Sequence, residues 1–154
     1  CDALAEAADE EPALIIDFAT LTGAARVALG TELPGFFTRD SDMAAQIKAI
    51  AEQVGDPLWP LPLHQPYRYM LDSNIADIVN SATESFGGAI TAALFLQEFL
   101  PKHQAWVHVD VMGWNLRNRP GHPIGGEAMG MRALYAYLET RYPPQRDADS
   151  VPTR

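Results

Sequence analysis

Cysteine is nearly missing from this 154-residue chain, Cys1 being the only one. That excludes an internal disulfide framework and a cysteine cluster for zinc, and it suits a reducing compartment. Basic residues are also scarce: 11 Lys and Arg face 20 Asp and Glu, for a formal charge of −9. Approach to DNA, RNA or an anionic membrane therefore begins with repulsion, and none of these partners is expected. No apolar run reaches the roughly 18 residues of a membrane span. The first residues lack the basic segment and apolar core of a signal peptide, so the expected location is the cytoplasm.

Several catalytic signatures are missing as well. No serine stands in a Gly-x-Ser-x-Gly strand-to-helix setting, which argues against a serine hydrolase. Gly121-His122-Pro123-Ile124-Gly125-Gly126 lacks the lysine and hydroxyl of a phosphate-binding loop, so a nucleotide site is not supported. His64, His103, His108 and His122 show no His-Glu-x-x-His or comparable ligand spacing. His108 and Asp110 lie two apart on an expected strand and share a face. They fit either a His–carboxylate pair or a buried histidine satisfied by backbone or carboxylate. Asp17 and Asp110 each interrupt an apolar strand, where an unpaired charge is costly, so each requires a partner. Asp77 and Asn80 either line a cleft or support a turn.

What is present describes an ordinary globular chain, 47% hydrophobic and 20% charged, long enough for one domain or a piece of one. The opening Cys1-Asp2-Ala3-Leu4-Ala5-Glu6-Ala7-Ala8 reads as helix interior rather than a natural beginning, so a fragment is expected. That helix ends near Asp9-Glu10-Glu11. From Pro12 to Ala19 the apolar residues are adjacent rather than alternating, as expected of a strand covered on both faces, and a helix follows to about Leu29. Gly35 to Thr38 is a short strand, and Asp40-Ser41-Asp42 caps a helix with Met43, Ile47, Ile50 and Val54 on one face, stopped by Gly55. Proline-rich Leu58 to Tyr67 is expected to be extended and irregular, its prolines blocking regular pairing. Ile75 to Val79 is a weak strand or a loop. Gly87-Gly88 precedes a nearly all-apolar, buried helix to Leu100. Trp106 to Met112 is a second central strand ending at Gly113, Gly121 to Gly126 a loop, and Ala128 to Tyr142 a closing helix with Met131, Leu134, Tyr135 and Leu138 at helical spacing. The fold class is α/β: a three-layer, largely buried mixed sheet flanked by helices.

The sharpest local signal is Asp17-Phe18-Ala19-Thr20-Leu21-Thr22-Gly23-Ala24, a strand running through a small-residue turn into a helix. In open α/β sheets ligands gather at the carboxyl ends of strands, and Gly23 lets a ligand approach the backbone. Alternatively, Thr20 or Thr22 only caps the helix.

The order of motifs extends beyond this turn. The same segment, with Val27-Ala28-Leu29-Gly30, is followed by Trp59-Pro60-Leu61-Pro62-Leu63, Ser73-Asn74 with Ala76-Asp77 and Asn80, Gly87-Gly88-Ala89-Ile90-Thr91-Ala92-Ala93, and Trp106-Val107-His108-Val109-Asp110 with Gly113. Together they resemble the leucine aminopeptidase (cytosol aminopeptidase) family over about residues 1–142, as the C-terminal part of its catalytic domain; 143–154 is expected to be a polar, disordered tail. The resemblance implies an exopeptidase that removes amino-terminal residues from peptides with two divalent ions, zinc, manganese or magnesium. It also implies a hexamer. The family hallmark Asn-Thr-Asp-Ala-Glu-Gly-Arg is missing here, and Cys1 to Leu4 corresponds to the helix directly after it. The metal ligands, catalytic lysine and arginine would then lie upstream of Cys1, leaving this segment with no catalytic or metal residue and inactive alone. The residues that carry over face substrate: Thr20, Leu21, Thr22 and Gly23, with the backbone of Leu21 and Gly23 bonding an extended peptide, Ser81 toward the leaving residue, and Met112 to Asn115 in the pocket for the amino-terminal side chain. Met112 and Trp114 replace smaller residues of many members and either reshape that pocket or point into the core. The other reading is a non-catalytic assembly or binding module with the same fold.

Overall fold

The computed structural model describes residues 1–82 and 84–144. Its elements are α1 (Asp2–Asp9), β1 (Ile15–Ala19), α2 (Gly23–Leu29), β2 (Gly35–Thr38), α3 (Ser41–Gln53), β3 (Trp59–Pro60), α4 (Gly88–Gln97), β4 (Trp106–Asp110), β5 (Trp114–Asn115), β6 (Gly125–Gly126) and α5 (Met131–Arg141). A 3-10 helix, Gln65–Leu71, lies between β3 and α4. The expected tail falls outside the described residues from 145 onward.

Four strands form a mixed sheet in the order β1-β4-β2-β3. β4 is parallel to β1 and antiparallel to β2, and β2 is parallel to β3. Every residue of β4 is buried, as a central strand requires. Side chains alternate across it. Val107 and Val109 join Phe36, Met43, Ile47, Leu134 and Tyr137 in a core beneath α3 and α5. On the opposite face Trp106 packs with Leu4, Ile15, Leu96 and Leu100, and Phe37 with Ala25, Ala89 and Ala93. The expected three layers are therefore α3 and α5, the sheet, and α1, α2 and α4.

Some expectations give way. Among the described residues β1 is an edge strand with one partner, and Phe18 is 46% exposed: Ile16 still packs against the core beneath α3 and α5, but that cover does not extend to Phe18. The proline-rich connection is partly regular: Trp59 N donates to the Pro34 carbonyl and Leu61 N to the Phe36 carbonyl. Pro60 falls between these donors, where an edge strand needs no N–H. Ile75 to Val79 forms no strand. Its turn is held by the Ser73 hydroxyl, which accepts from the N–H groups of Ile75 and Ala76. On α5 the buried residues are Ala133, Leu134 and Tyr137, whereas Met131 and Tyr135 are exposed. The small Ala133, not a bulkier neighbour, lets α5 approach α3.

The start of α5 is held from across the chain. Asp56, 7% exposed, accepts from the N–H groups of Gly130, Arg132 and Ala133 at 2.9, 2.9 and 3.2 Å, satisfying donors that a helix start leaves unpaired. Replacing Asp56 by Ala should destabilise the fold by about 2–3 kcal/mol, read as a lower denaturant midpoint at unchanged slope; a loss below about 0.5 kcal/mol would contradict this assignment.

Candidate functional site

The parallel register sets Ala19 opposite Asp110, and Val111 N donates to the Ala19 carbonyl at 2.9 Å. Both strands thus end at one level, and the turn that leaves β1 lies against the end of β4. Asp110, 3% exposed, holds that turn. Its Oδ1 accepts from Leu21 N at 3.1 Å and its Oδ2 from Thr22 N at 3.2 Å. The Thr22 hydroxyl donates to Oδ2 at 2.7 Å and accepts from Ala25 N at 3.1 Å. With its one proton given to the carboxylate, Thr22 still has lone pairs to cap α2, so the cap and the clamp are one device.

His108 and Asp110 do not pair. His108 Nδ1 lies 2.6 Å from Asp17 Oδ1, and Trp106 Nε1 donates to Asp17 Oδ2 at 2.7 Å. His108 is buried, stacked with Phe37 and Trp106, and its Nε2 has no partner among the described residues. A proton on Nδ1 leaves Nε2 as an unpaired acceptor, which is less costly than an unpaired donor. Its Nδ1 is thus satisfied by a carboxylate, that of the neighbouring strand.

The expected substrate-facing residues separate into two groups. Thr20, Leu21 and Gly23 are exposed at the turn and Thr22 is half-buried. The Leu21 N–H is spent on Asp110, so only its carbonyl remains free for a ligand; no backbone hydrogen bond among the described residues takes that carbonyl. Gly23 opens α2, where an N–H has no intrahelical acceptor. Leu21, Asn80 and Ser81 line one cavity of about 410 Å³ with Gly88, Phe95 and Leu96. On the other flank Thr20 Cγ2 lies 3.4 Å from where a Cβ on Gly113 would stand, an ordinary contact, and it is the φ of +67° at Gly113 that favours glycine there. Met112 is half-buried and Trp114 is 49% exposed; neither joins the core.

Asn115 is held by the loop that follows it. It is 1% exposed; its Nδ2 donates to the His122 and Pro123 carbonyls and its Oδ1 accepts from Arg119 Nη2. Every polar atom is committed to the loop between β5 and β6, which pair antiparallel where only a loop is expected. Glu32 anchors the same loop by accepting from Arg117 and Arg119. The Arg117 hydrogen bond holds the Glu32 carboxyl below the usual carboxylate range; desolvation opposes it, and the charges of Arg117 and Arg119 add to the lowering.

Sequence reasoning missed Asp110 as the holder of the turn; Asn80, left between cleft and turn, lines the cavity. The Thr-rich turn after β1 signals a need for an acceptor, but only the register identifies Asp110 as that acceptor.

Comparison with known proteins gives the class. The model of the cytosol aminopeptidase family, catalytic domain, matches residues 1–135, and the chain belongs to that family. It is 43% identical over 142 residues to the probable cytosol aminopeptidase of Prochlorococcus marinus subsp. pastoris, covering 91% of this chain and 29% of that protein. Among solved structures it is similar to cytosol aminopeptidase from Coxiella burnetii, with 54% identity, a TM-score of 0.87 and coverage of 92% of this chain and 31% of the other. A mutant of tomato leucine aminopeptidase matches at 36% identity and TM-score 0.76, over 89% of this chain and 26% of that one. The chain thus spans less than a third of the length of these relatives.

Two outcomes are expected here. Asp110→Asn should speed amide hydrogen exchange at Leu21 and Thr22 by about tenfold or more while the β4 amides stay protected; unchanged exchange would remove the clamp. Because the folded Glu32 pKa lies below its unfolded value, its stabilising effect is present above the unfolded pKa and is lost as pH falls through the folded one. A carboxyl-carbon NMR titration should show Glu32 moving back up toward the ordinary carboxylate value in Arg117→Gln.

Proposed function

We propose that residues 1–142 are the C-terminal portion of the catalytic domain of a metal-dependent, leucyl-type aminopeptidase, and that they bind the peptide beside metals held by sequence preceding Cys1. The carrying observation is the Asp110 clamp. It fixes the turn while leaving the Leu21 carbonyl and the Gly23 N–H uncommitted at the end of the strand. These two groups can bond an extended peptide through its main chain, which fixes orientation without demanding a particular side chain. Thr20 and Thr22 shape the turn, Ser81 with Asn80 borders the pocket for the leaving residue, and Met112 borders the pocket for the amino-terminal side chain.

Among the described residues no group of three or more His, Cys, Asp or Glu comes together to hold an ion. The carboxylates of Asp17 and Asp110 are occupied by N–H and O–H donors, or by the His108 ring. These side chains do not fit a two-metal centre, and no step through metal is assigned to them.

Support for a partial domain comes from the edge of β1. Among the described residues it pairs only with β4, and a groove of about 480 Å³ runs between it and α1, past Asp17, Phe18 and Leu21. An open, largely apolar edge is a surface that folded proteins ordinarily cover. The exposed Ile75, Phe86 and Val27 accord with burial in a homo-oligomer, a hexamer by resemblance. Among the described residues no helix is long and apolar enough to cross a membrane, and the proposed setting is the cytoplasm, with peptides as substrates and no nucleic acid partner.

Purified residues 1–154 should bind neither zinc nor manganese stoichiometrically and should leave a leucyl chromogenic amide intact, whereas the complete polypeptide should hydrolyse it. Metal analysis and the amidase assay check this, and robust hydrolysis by the 154-residue chain alone would sink it. If the complete polypeptide lacked the Asp, Glu, Lys and Arg set, the assembly-module reading would replace it.

A further inference from the structure

Resting on the peptide-binding reading of the turn, we infer that Arg26 is a specificity-determining residue that selects an amino-terminal side chain bearing a carboxylate. Arg26 lies on α2, three residues beyond Gly23. Its Nη1 donates to Met112 Sδ at 3.7 Å, and a Cβ on Gly23 would stand 3.9 Å from its Nη2. The guanidinium therefore bridges the turn and the end of β4, on the flank that Met112 borders. The cavity with Ser81 lies on the other flank, so a peptide crossing the turn would place its first side chain toward Met112 and Arg26.

The bonding of Arg26 is unlike that of the other arginines of the described residues. Arg39 donates to four carbonyls, from Gln97 to Lys102. Arg68, Arg117 and Arg119 pair with carboxylates. Arg132 reaches the Gly55 carbonyl and Arg141 two tyrosine hydroxyls. Arg26 has one hydrogen bond among the described residues, to a thioether, which is a weak acceptor. Arg26 is half-buried, and among the described residues none of its guanidinium nitrogens is both buried and unpartnered, so its remaining N–H groups face solvent, where a ligand can reach them. A carboxylate offers it two strong, parallel acceptors, and a lysine side chain on the substrate would be repelled. The nearby Asp110 cannot serve, because its oxygens already hold the turn. Glutamate at the amino terminus supplies that carboxylate at the end of a flexible stem.

The test uses the complete, metal-loaded polypeptide and matched glutamyl and glutaminyl p-nitroanilides, which differ in charge and hardly in shape. The expected ratio of kcat/KM, glutamyl over glutaminyl, is about fivefold or more, carried mainly by KM. Arg26→Gln should bring the ratio to about one and Arg26→Lys should retain part of it. Because the ratio is taken within each variant, partial loss of folded enzyme cancels. An active wild-type enzyme with a ratio near or below one, or a ratio unchanged in Arg26→Gln, overturns the inference and leaves the aminopeptidase reading standing. No hydrolysis of these or of the leucyl substrate by the complete polypeptide overturns both.

Discussion

Two carboxylates on one face of a strand pair set the terms for the rest of the molecule. A buried carboxylate is tolerated only when hydrogen bonds replace the water it has lost. Asp17 and Asp110 meet that demand in different ways. Asp17 draws on Trp106 and His108, both on the adjoining strand, and so ties β1 to β4 through side chains as well as through the ladder. Asp110 draws on the turn that β1 itself leads into. Both solutions need the parallel register in which Asp17 faces His108 and Ala19 faces Asp110. A slip of one residue would send every side chain of β1 to the opposite face and strand both charges.

The geometry of the turn follows from that requirement. With Leu21 N, Thr22 N and the Thr22 hydroxyl all directed to Asp110, the backbone between β1 and α2 has little freedom left. The Thr22 hydroxyl passes the constraint into α2 by accepting from Ala25 N. A Cβ on Gly88 would lie 3.2 Å from Ala24 Cβ, so α2 and α4 approach each other closely at this point. The turn is therefore pinned from below by β4 and from the side by α4. A main-chain recognition element benefits from such pinning, because a ligand that binds a preorganised backbone spends little of its binding energy on ordering it.

Much of the scaffold was legible in the residues. The β-branched Val107 and Val109 mark β4, Asp40 accepts from the N–H groups of Asp42 and Met43 as the helix cap it was read to be, and Gly55 stands at φ +66° just past α3. The failures share a cause: each depended on what lies across space. An unbroken apolar run in β1 does not say how far the flanking helices extend, and Phe18 is exposed because they stop short. Hydrophobic spacing on α5 weighs Met131 and Tyr135 above Ala133, whereas the approach of α3 selects the small residue. Proline content disfavours a strand unless the missing N–H points away from the only neighbour, as at Pro60. Within the site the turn is readable from its threonines and glycine, but the loop that Asn115 closes is visible only once His122 and Pro123 fold back over its amide.

On the proposed reading, the same interactions make this segment rigid at its turn and leave the chemistry to groups outside it. Saturating Asp110 with donors makes it an anchor, and the same saturation removes it from the pool of groups that could ligate a cation or move a proton. Asp17, occupied by an indole and an imidazole, is removed in the same way. The two acidic side chains nearest the strand ends have thus been spent on architecture, and on the reading proposed above the reactive groups must come from the side where the structure is open. That side is the free edge of β1, where Asp17, Phe18 and Leu21 line a groove within one turn of backbone from the Leu21 carbonyl. A segment packed along that edge would meet the turn directly, so on that reading completing the sheet and completing the site would be a single event.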